Sequence, residues 1–375
     1  MLAIHMAKPT TGIATPKTSP ASLITSLAGN PEKILILQCQ LVIKTTMNKI
    51  YNWAILGCGR IAKKFAGDLR LLPNARLYAA ASRSIENAQA FAAELGFEKA
   101  YGSYEEMVND PGVDVVYIAS PHSYHFEHSL LCLNHRKAVL CEKAFAINSR
   151  EVGIMIETAR KNNTFLMEAF WTRFQPSFLK VMEIIRSGEL GALKLVRSDF
   201  AFNAEYNPEK RLYNVKLGGG SLLDVGIYPI FMSLMALGKP SEIKTMARFC
   251  PTGAEESILM SFGYPNGEMA SLVSSFASHT STQTEFSFEN GFVRLNRRFY
   301  TATTLTYWKN WEEEKHIVPE KGAGFGYELE AAHVMECLDA GKTESDWMPL
   351  SLSADLMEII DRVKKDAGII FPGHD

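Results

Sequence analysis

Between residues 50 and 148, short apolar runs alternate with longer stretches in which apolar residues recur every three or four positions. Runs near 52–56, 76–81, 113–119 and 138–141 predict strands, and the periodic stretches at 61–72, 86–95, 104–109 and 126–133 predict helices. Such alternation calls for a parallel sheet covered on both faces. After one more helix, 149–162, and a further strand starting near 165, the texture changes. Strand-like runs at 193–202, 243–249, 257–264, 268–276, 284–288 and 292–295 follow one another with turns such as Pro265-Asn266-Gly267 and Asn290-Gly291. They predict an open, mainly antiparallel sheet. Helices at 176–187, 221–237, 327–339 and 350–365 would cover one face and leave the other for a partner. The fold class is therefore α/β: a Rossmann-type doubly wound parallel sheet followed by an α+β domain with an open sheet. The expected division is an N-terminal extension (1–46), a parallel-sheet domain (47–168) and an open-sheet domain (169–375), whose last helix packs back on the first domain. Residues 1–30 are rich in Thr, Ser, Pro and Ala without periodicity and are expected to be poorly ordered. The leader reads as an upstream-start artefact, with Met47 as the true start, or as a dispensable extension, with a weak organellar address as the alternative.

A chain of 375 residues exceeds one comfortable core, which fits two domains. With 39 basic against 41 acidic side chains it lacks the basic excess of a nucleic-acid surface. The apolar stretch 34–43 is too short to span a bilayer, so no membrane partner is expected. Six cysteines without a Cys-x-x-Cys pair, and histidines without ligand spacing, point to reduced thiols in a cytoplasmic protein and to no metal site.

The first strand breaks into Gly57-Cys58-Gly59-Arg60-Ile61-Ala62. Gly57 permits a tight turn, Gly59 lets a pyrophosphate approach bare backbone, and Ala62 lets helix and strand pack closely. Where the second strand ends, the chain reads Ser82-Arg83-Ser84 rather than the Asp or Glu that holds a ribose 2′-hydroxyl. An arginine flanked by hydroxyls suits a 2′-phosphate, so NADP is the expected cofactor, with NAD as the alternative.

Ligands in such folds lie beyond the carboxyl ends of the strands. There the chain places Ser120, Pro121, His122 and His125 after one strand and Glu142-Lys143-Ala144 after the next. A further cluster, 218–229, joins three glycines to Asp224 and Tyr228, which are four apart and share a helix face. The glycines would allow backbone to approach a ligand. Trp171, Arg173 and Phe174 are candidates to wall and anchor a substrate, as is Phe202.

Together the glycine turn, Glu142-Lys143, the 170–174 segment, 220–229, 324–328 and 344–349 resemble the Gfo/Idh/MocA oxidoreductase family, in the branch holding dihydrodiol and D-xylose dehydrogenases. The resemblance spans residue 48 to the C-terminus. It implies a homodimer formed through the open sheet, and a catalytic lysine that falls on Lys143. Ala144 stands where the family has proline, which would loosen that loop. Tyr228 in place of the more widespread histidine disfavours an inositol dehydrogenase. The implied reaction is hydride transfer between NADP and a hydroxyl-bearing carbon of a sugar or cyclic trans-diol. Tyr228 would accept the hydroxyl proton, its pKa lowered by Lys143, and Asp224 would orient the pair; Lys143 acting directly is the alternative. Rival readings are a non-catalytic NAD(P)-binding regulator, and a dehydrogenase of another sugar or keto sugar.

Overall fold

The computed structural model describes residues 49–310, 312 and 314–374; the expected extension 1–46 lies outside them. Strands β1 (Tyr51–Leu56), β2 (Ala75–Ala81), β3 (Lys99–Tyr101), β4 (Val115–Ile118), β5 (Ala138–Glu142) and β6 (Leu166–Ala169) form a parallel sheet in the order β3-β2-β1-β4-β5-β6. Between them run α1 (Arg60–Leu69), α2 (Ile85–Leu95), α3 (Tyr104–Asn109), α4 (His125–Asn134) and α5 (Ser149–Asn162). The strand order reverses between β1 and β4, which opens a crevice at their carboxyl ends.

Local chemistry explains these elements. In α1, Ala62, Phe65, Ala66 and Leu69 repeat at three- and four-residue steps and are buried against the sheet. The helix stops at Leu69, short of the expected residue 72, because Pro73 offers no N–H to the carbonyl four residues back and its ring crowds it. Ser84 caps α2 by accepting from Asn87 N at 3.2 Å, and Asn148 caps α5 by accepting from Glu151 N at 2.9 Å.

The second sheet runs β14-β13-β12-β11-β7-β10-β9-β8, built from β7 (Leu193–Ala201), β8 (Glu242–Phe249), β9 (Glu255–Gly263), β10 (Met269–Ser275), β11 (Thr284–Phe288), β12 (Gly291–Leu295), β13 (Leu305–Lys309) and β14 (Lys315–Ile317). Two antiparallel meanders flank β7, which pairs in parallel with β10 and antiparallel with β11. Helices α6 (Pro176–Ser187), α7 (Ile227–Leu237) and α9 (Leu350–Ala367) cover the inner face, while α8 (Tyr327–Asp339) packs on α1. The stretch 215–237 is apolar on every side because it is packed on every side. The last helix also touches α5 and β6, so the two sheets share one continuous core.

Candidate active site

A cleft of about 660 Å³ opens at the carboxyl ends of β1, β2, β4 and β5 and extends to the start of α7. At one end Gly57 adopts φ 99°, and a Cβ there would lie 3.0 Å from the Ala119 carbonyl carbon, so this glycine is required by the neighbouring strand exit. Gly59 is different. A Cβ there would meet only the Ala119 oxygen at 4.0 Å, leaving the backbone open to the cleft. No side chain caps α1, so its first N–H groups are available to an anion. Arg60, Ile61 and Lys64 continue this rim.

Ser82 and Arg83 line the same end. The Arg83 guanidinium lies 6.0 Å from the Tyr124 ring centroid, and among the described residues no carboxylate pairs with it. Tyr104 and His128 complete this wall, edge to face with centroids 4.7 Å apart. Burial pushes the His128 pKa down to about 4, keeping the ring neutral.

Ser120, Pro121, His122, His125 and Glu142 line the middle of the cleft. His125 is a strut: Nδ1 lies 2.7 Å from the Ala144 oxygen and Nε2 2.8 Å from the Ser120 oxygen. Burial lowers its pKa to about 4 against the two carbonyl oxygens, which favour the protonated ring; the neutral ring donates to only one of them. The loop after β5 is thereby held rather than loosened. Ala144 is fully buried, and Phe145 N donates to Glu168 at 3.1 Å. Tyr117 donates its hydroxyl to Glu142.

At the far end Lys143 Nζ donates to the Asp224 main-chain oxygen at 2.7 Å and lies 3.8 Å from its Oδ1. Arg211 Nη1 donates to the same Oδ1 at 2.9 Å. Burial lowers the Lys143 pKa, against the pull of Asp224 and Glu142. Burial would raise the Asp224 pKa, but the charges of Arg211 and Lys143 overcome it and hold the carboxyl below its ordinary range. Asp224 sits in a π-helical turn, Leu222–Gly226, that leads into α7; such turns recur at functional sites. Tyr228 accepts from Trp171 Nε1 at 3.1 Å, and Lys143 Nζ stands 5.0 Å from its ring centroid. Trp171 in turn stacks on Tyr327 with centroids 4.3 Å apart.

Several expectations need correction. The Tyr228 pKa is raised, not lowered: full burial dominates, Glu142 adds to it, and Lys143 faces the ring. Arg173 turns away from the cleft, its Nε donating to the Trp347 oxygen at 2.9 Å and its guanidinium packed between Phe178 and Trp347. Phe174 stacks on Trp347. Phe202 packs on Phe276 in a separate small apolar cluster with Tyr213 and Val225; Phe200, two residues earlier, is the ring beside Tyr228, at 5.5 Å. The triple glycine serves the chain itself: a Cβ on Gly219 would sit 2.5 Å from the Arg211 oxygen, and one on Gly220 2.2 Å from Glu255. The sequence reading also missed Lys64, Tyr104, His128, Arg211 and Tyr327 in the cleft wall. Only Tyr104 and His128, on predicted helices beside the crevice, carried a positional signal.

A glycine turn at a strand reversal, facing a mostly buried lysine across one continuous cleft, defines a dinucleotide-binding oxidoreductase. The chain belongs to the Gfo/Idh/MocA family. The model of the oxidoreductase family with an NAD-binding Rossmann fold matches residues 51–170, and that of the GFO/IDH/MocA C-terminal domain matches 178–294. The trans-1,2-dihydrobenzene-1,2-diol dehydrogenase of Mus musculus is 36% identical over 331 residues, covering 86% of this chain and 98% of the relative. The Homo sapiens protein of the same name is 36% identical over 332 residues, with the same coverage. Among solved structures, an aldose-aldose oxidoreductase from Caulobacter crescentus superposes with a TM-score of 0.79 at 22% identity, over 85% of this chain and 98% of that one. A 3-ketoreductase from Actinomadura kijaniata, solved with NADP, gives 0.77 at 22% identity and the same coverage.

Proposed function

We propose that the protein is an NADP-dependent dehydrogenase that moves a hydride between the nicotinamide and a hydroxyl-bearing carbon of a sugar or cyclic trans-diol. The observation that carries this reading is Lys143, a mostly buried cation with its side chain 12% exposed at the end of a cleft whose other end offers open backbone donors and Arg83. The uncapped α1 terminus and the open face of Gly59 fit a pyrophosphate, and Ser82 and Arg83 fit a 2′-phosphate. A bound nicotinamide dinucleotide supplies the hydride acceptor.

The chain's own residues handle the proton. Lys143, its pKa already lowered by burial, takes the hydroxyl proton at Nζ. Tyr228, kept neutral by burial and held by Trp171, donates to or relays from the reacting oxygen. Asp224 stays ionised and fixes Lys143. The names of the relatives support a diol or sugar as the substrate.

Residues 47–168 then serve the cofactor, and 169–375 the substrate and a homodimer. The outward face of the second sheet supports the dimer: Met246, Leu259 and Met269 are 72%, 53% and 58% exposed. Free Cys58, Cys132, Cys141, Cys250 and Cys337 support a cytoplasmic setting.

The test is a spectrophotometric panel in which NADP⁺ and NAD⁺ are crossed with D-xylose, D-glucose, myo-inositol and trans-1,2-cyclohexanediol. NADPH should form with an aldose or the diol and not with inositol. Cofactor binding with no turnover of any member would overturn the reading in favour of a regulator.

A further inference from the structure

Arg211 lies outside the groups that handle the proton, yet it reaches the cleft from the irregular segment 203–217 between β7 and the π-helical turn. Its side chain is 38% exposed. Among the described residues its one hydrogen-bond partner is Asp224 Oδ1, which leaves most of its N–H groups without a protein acceptor.

The segment that carries Arg211 is tightly built. Gly219 N donates to Asn214 O at 3.0 Å and Gly220 N to Leu212 O at 2.9 Å. His122 Nδ1 lies 3.1 Å from Gly218 O, and Tyr213 donates to Ala204 O at 3.1 Å while its ring packs with Val225 and Phe276. The triple glycine allows this closeness, since a side chain on Gly219 would collide with the segment's own carbonyls. Nothing in the proton chemistry of Lys143 and Tyr228 requires so much construction around Arg211.

Lys143 and Arg211 flank one carboxylate oxygen, so two donors and an acceptor stand side by side at the substrate end. We infer that Arg211 is the specificity-determining residue for the substrate's second oxygen: with Asp224 it holds the hydroxyl on the carbon next to the one that reacts, which restricts substrates to vicinal diols, pyranoses included. A hydroxyl both donates and accepts, and the pair Arg211–Asp224 offers one of each. Sites built to bond a hydroxyl reject analogues that lack it far more strongly than apolar pockets reject a missing methylene.

The inference rests on the dehydrogenase reading, but binding tests it separately. The protein loaded with NADPH is titrated calorimetrically with trans-1,2-cyclohexanediol and with cyclohexanol, as wild type, Arg211→Met and Arg211→Lys. The wild type should prefer the diol at least about tenfold. Arg211→Met should remove that preference by weakening the diol alone, and Arg211→Lys, which keeps the charge, should retain part of it. In turnover, Arg211→Met should lower kcat/KM for D-glucose at least about tenfold more than for 2-deoxy-D-glucose, beyond any loss common to both that follows from disturbing Asp224 and Lys143. Equal losses for both members of a pair, or no loss, would overturn the inference even if the wild type proves an active dehydrogenase. Diol preference that depends on Arg211 in a protein that oxidises nothing would instead overturn the dehydrogenase reading alone.

Discussion

The two ends of the cleft are built on opposite principles. At the cofactor end, Gly57, Gly59, Arg60, Ile61 and Lys64 come from one continuous turn and helix, and the available donors are backbone N–H groups and surface cations. At the substrate end, Lys143 meets Asp224 across 81 residues of chain and Trp171 meets Tyr228 across 57. There Lys143 and Asp224 are mostly withdrawn from water and are tolerable because they and Arg211 hold one another. The first end is an anion cradle that local sequence can encode. The second exists only when the parallel sheet, the π-helical turn and the segment around Arg211 are all in place.

The contrast predicts that the largest single effect lies at the substrate end. Lys143→Met should lower kcat by roughly 10³-fold, in the range of a lost proton-transfer group, with the KM for NADP⁺ nearly unchanged. Tyr228→Phe should lower kcat less, since it keeps the ring beneath Lys143 and loses the hydroxyl. Steady-state kinetics with both substrates varied would check this, and a variant that loses cofactor affinity as much as kcat would merge the two ends that the geometry separates.

Glu168 sharpens the comparison on stability. It lies beneath the Lys143 turn, fully buried, accepting from Phe145 N, and burial pushes its pKa up to about 7 from an ordinary 4.5. Because the folded pKa is the higher one, its contribution to stability is complete below pH 4.5 and is lost as pH rises through 7. Glu168→Gln keeps the acceptor and removes the charge. It should match wild type near pH 4.5 and exceed it by about 3 kcal/mol at pH 8, as measured by urea unfolding at the two pH values.

Arg83 probes the other end. Arg83→Ala should raise the KM for NADP⁺ roughly 10- to 100-fold, the worth of one charge-assisted contact, and leave NAD⁺ nearly unchanged. Equal effects on both cofactors would assign Arg83 to something other than the 2′-phosphate.

How much of this was legible follows the same division. The strand-helix alternation, the glycine turn, Ser82-Arg83 and the strand-end position of Lys143 are all local patterns, and they account for the cofactor end except Lys64, Tyr104 and His128. The three-residue strands β3 and β14 were missed because three residues carry no period, and β13 because it follows an arginine-rich turn without a clear start. Arg173 misled because a polar side chain two positions after Trp171 in a 3₁₀ turn, Trp171–Phe174, points elsewhere. Arg211 was silent since segment 203–217 has no periodicity at all, and its place is set by glycines seven to nine residues later.

The smallest effect tests whether the buried charges at the substrate end are balanced as described. Lys143 faces Asp224 from the π-helical turn, Glu142 from its own strand, Glu168 from β6, His122 from the turn after β4 and Arg211 from the segment after β7. Burial and Arg211 lower its pKa, while Asp224, Glu142 and Glu168 raise it. Oxidation needs the neutral amine, so the rate should rise with pH through the Lys143 pKa. Removing an anion lowers that pKa further, so Asp224→Asn should move the acid limb of the kcat profile toward lower pH, beside whatever it costs in kcat. A limb that moves toward higher pH would mean that Asp224 acts on Lys143 through position rather than charge, and the substrate end would then resemble the cofactor end more closely than its buried charges imply.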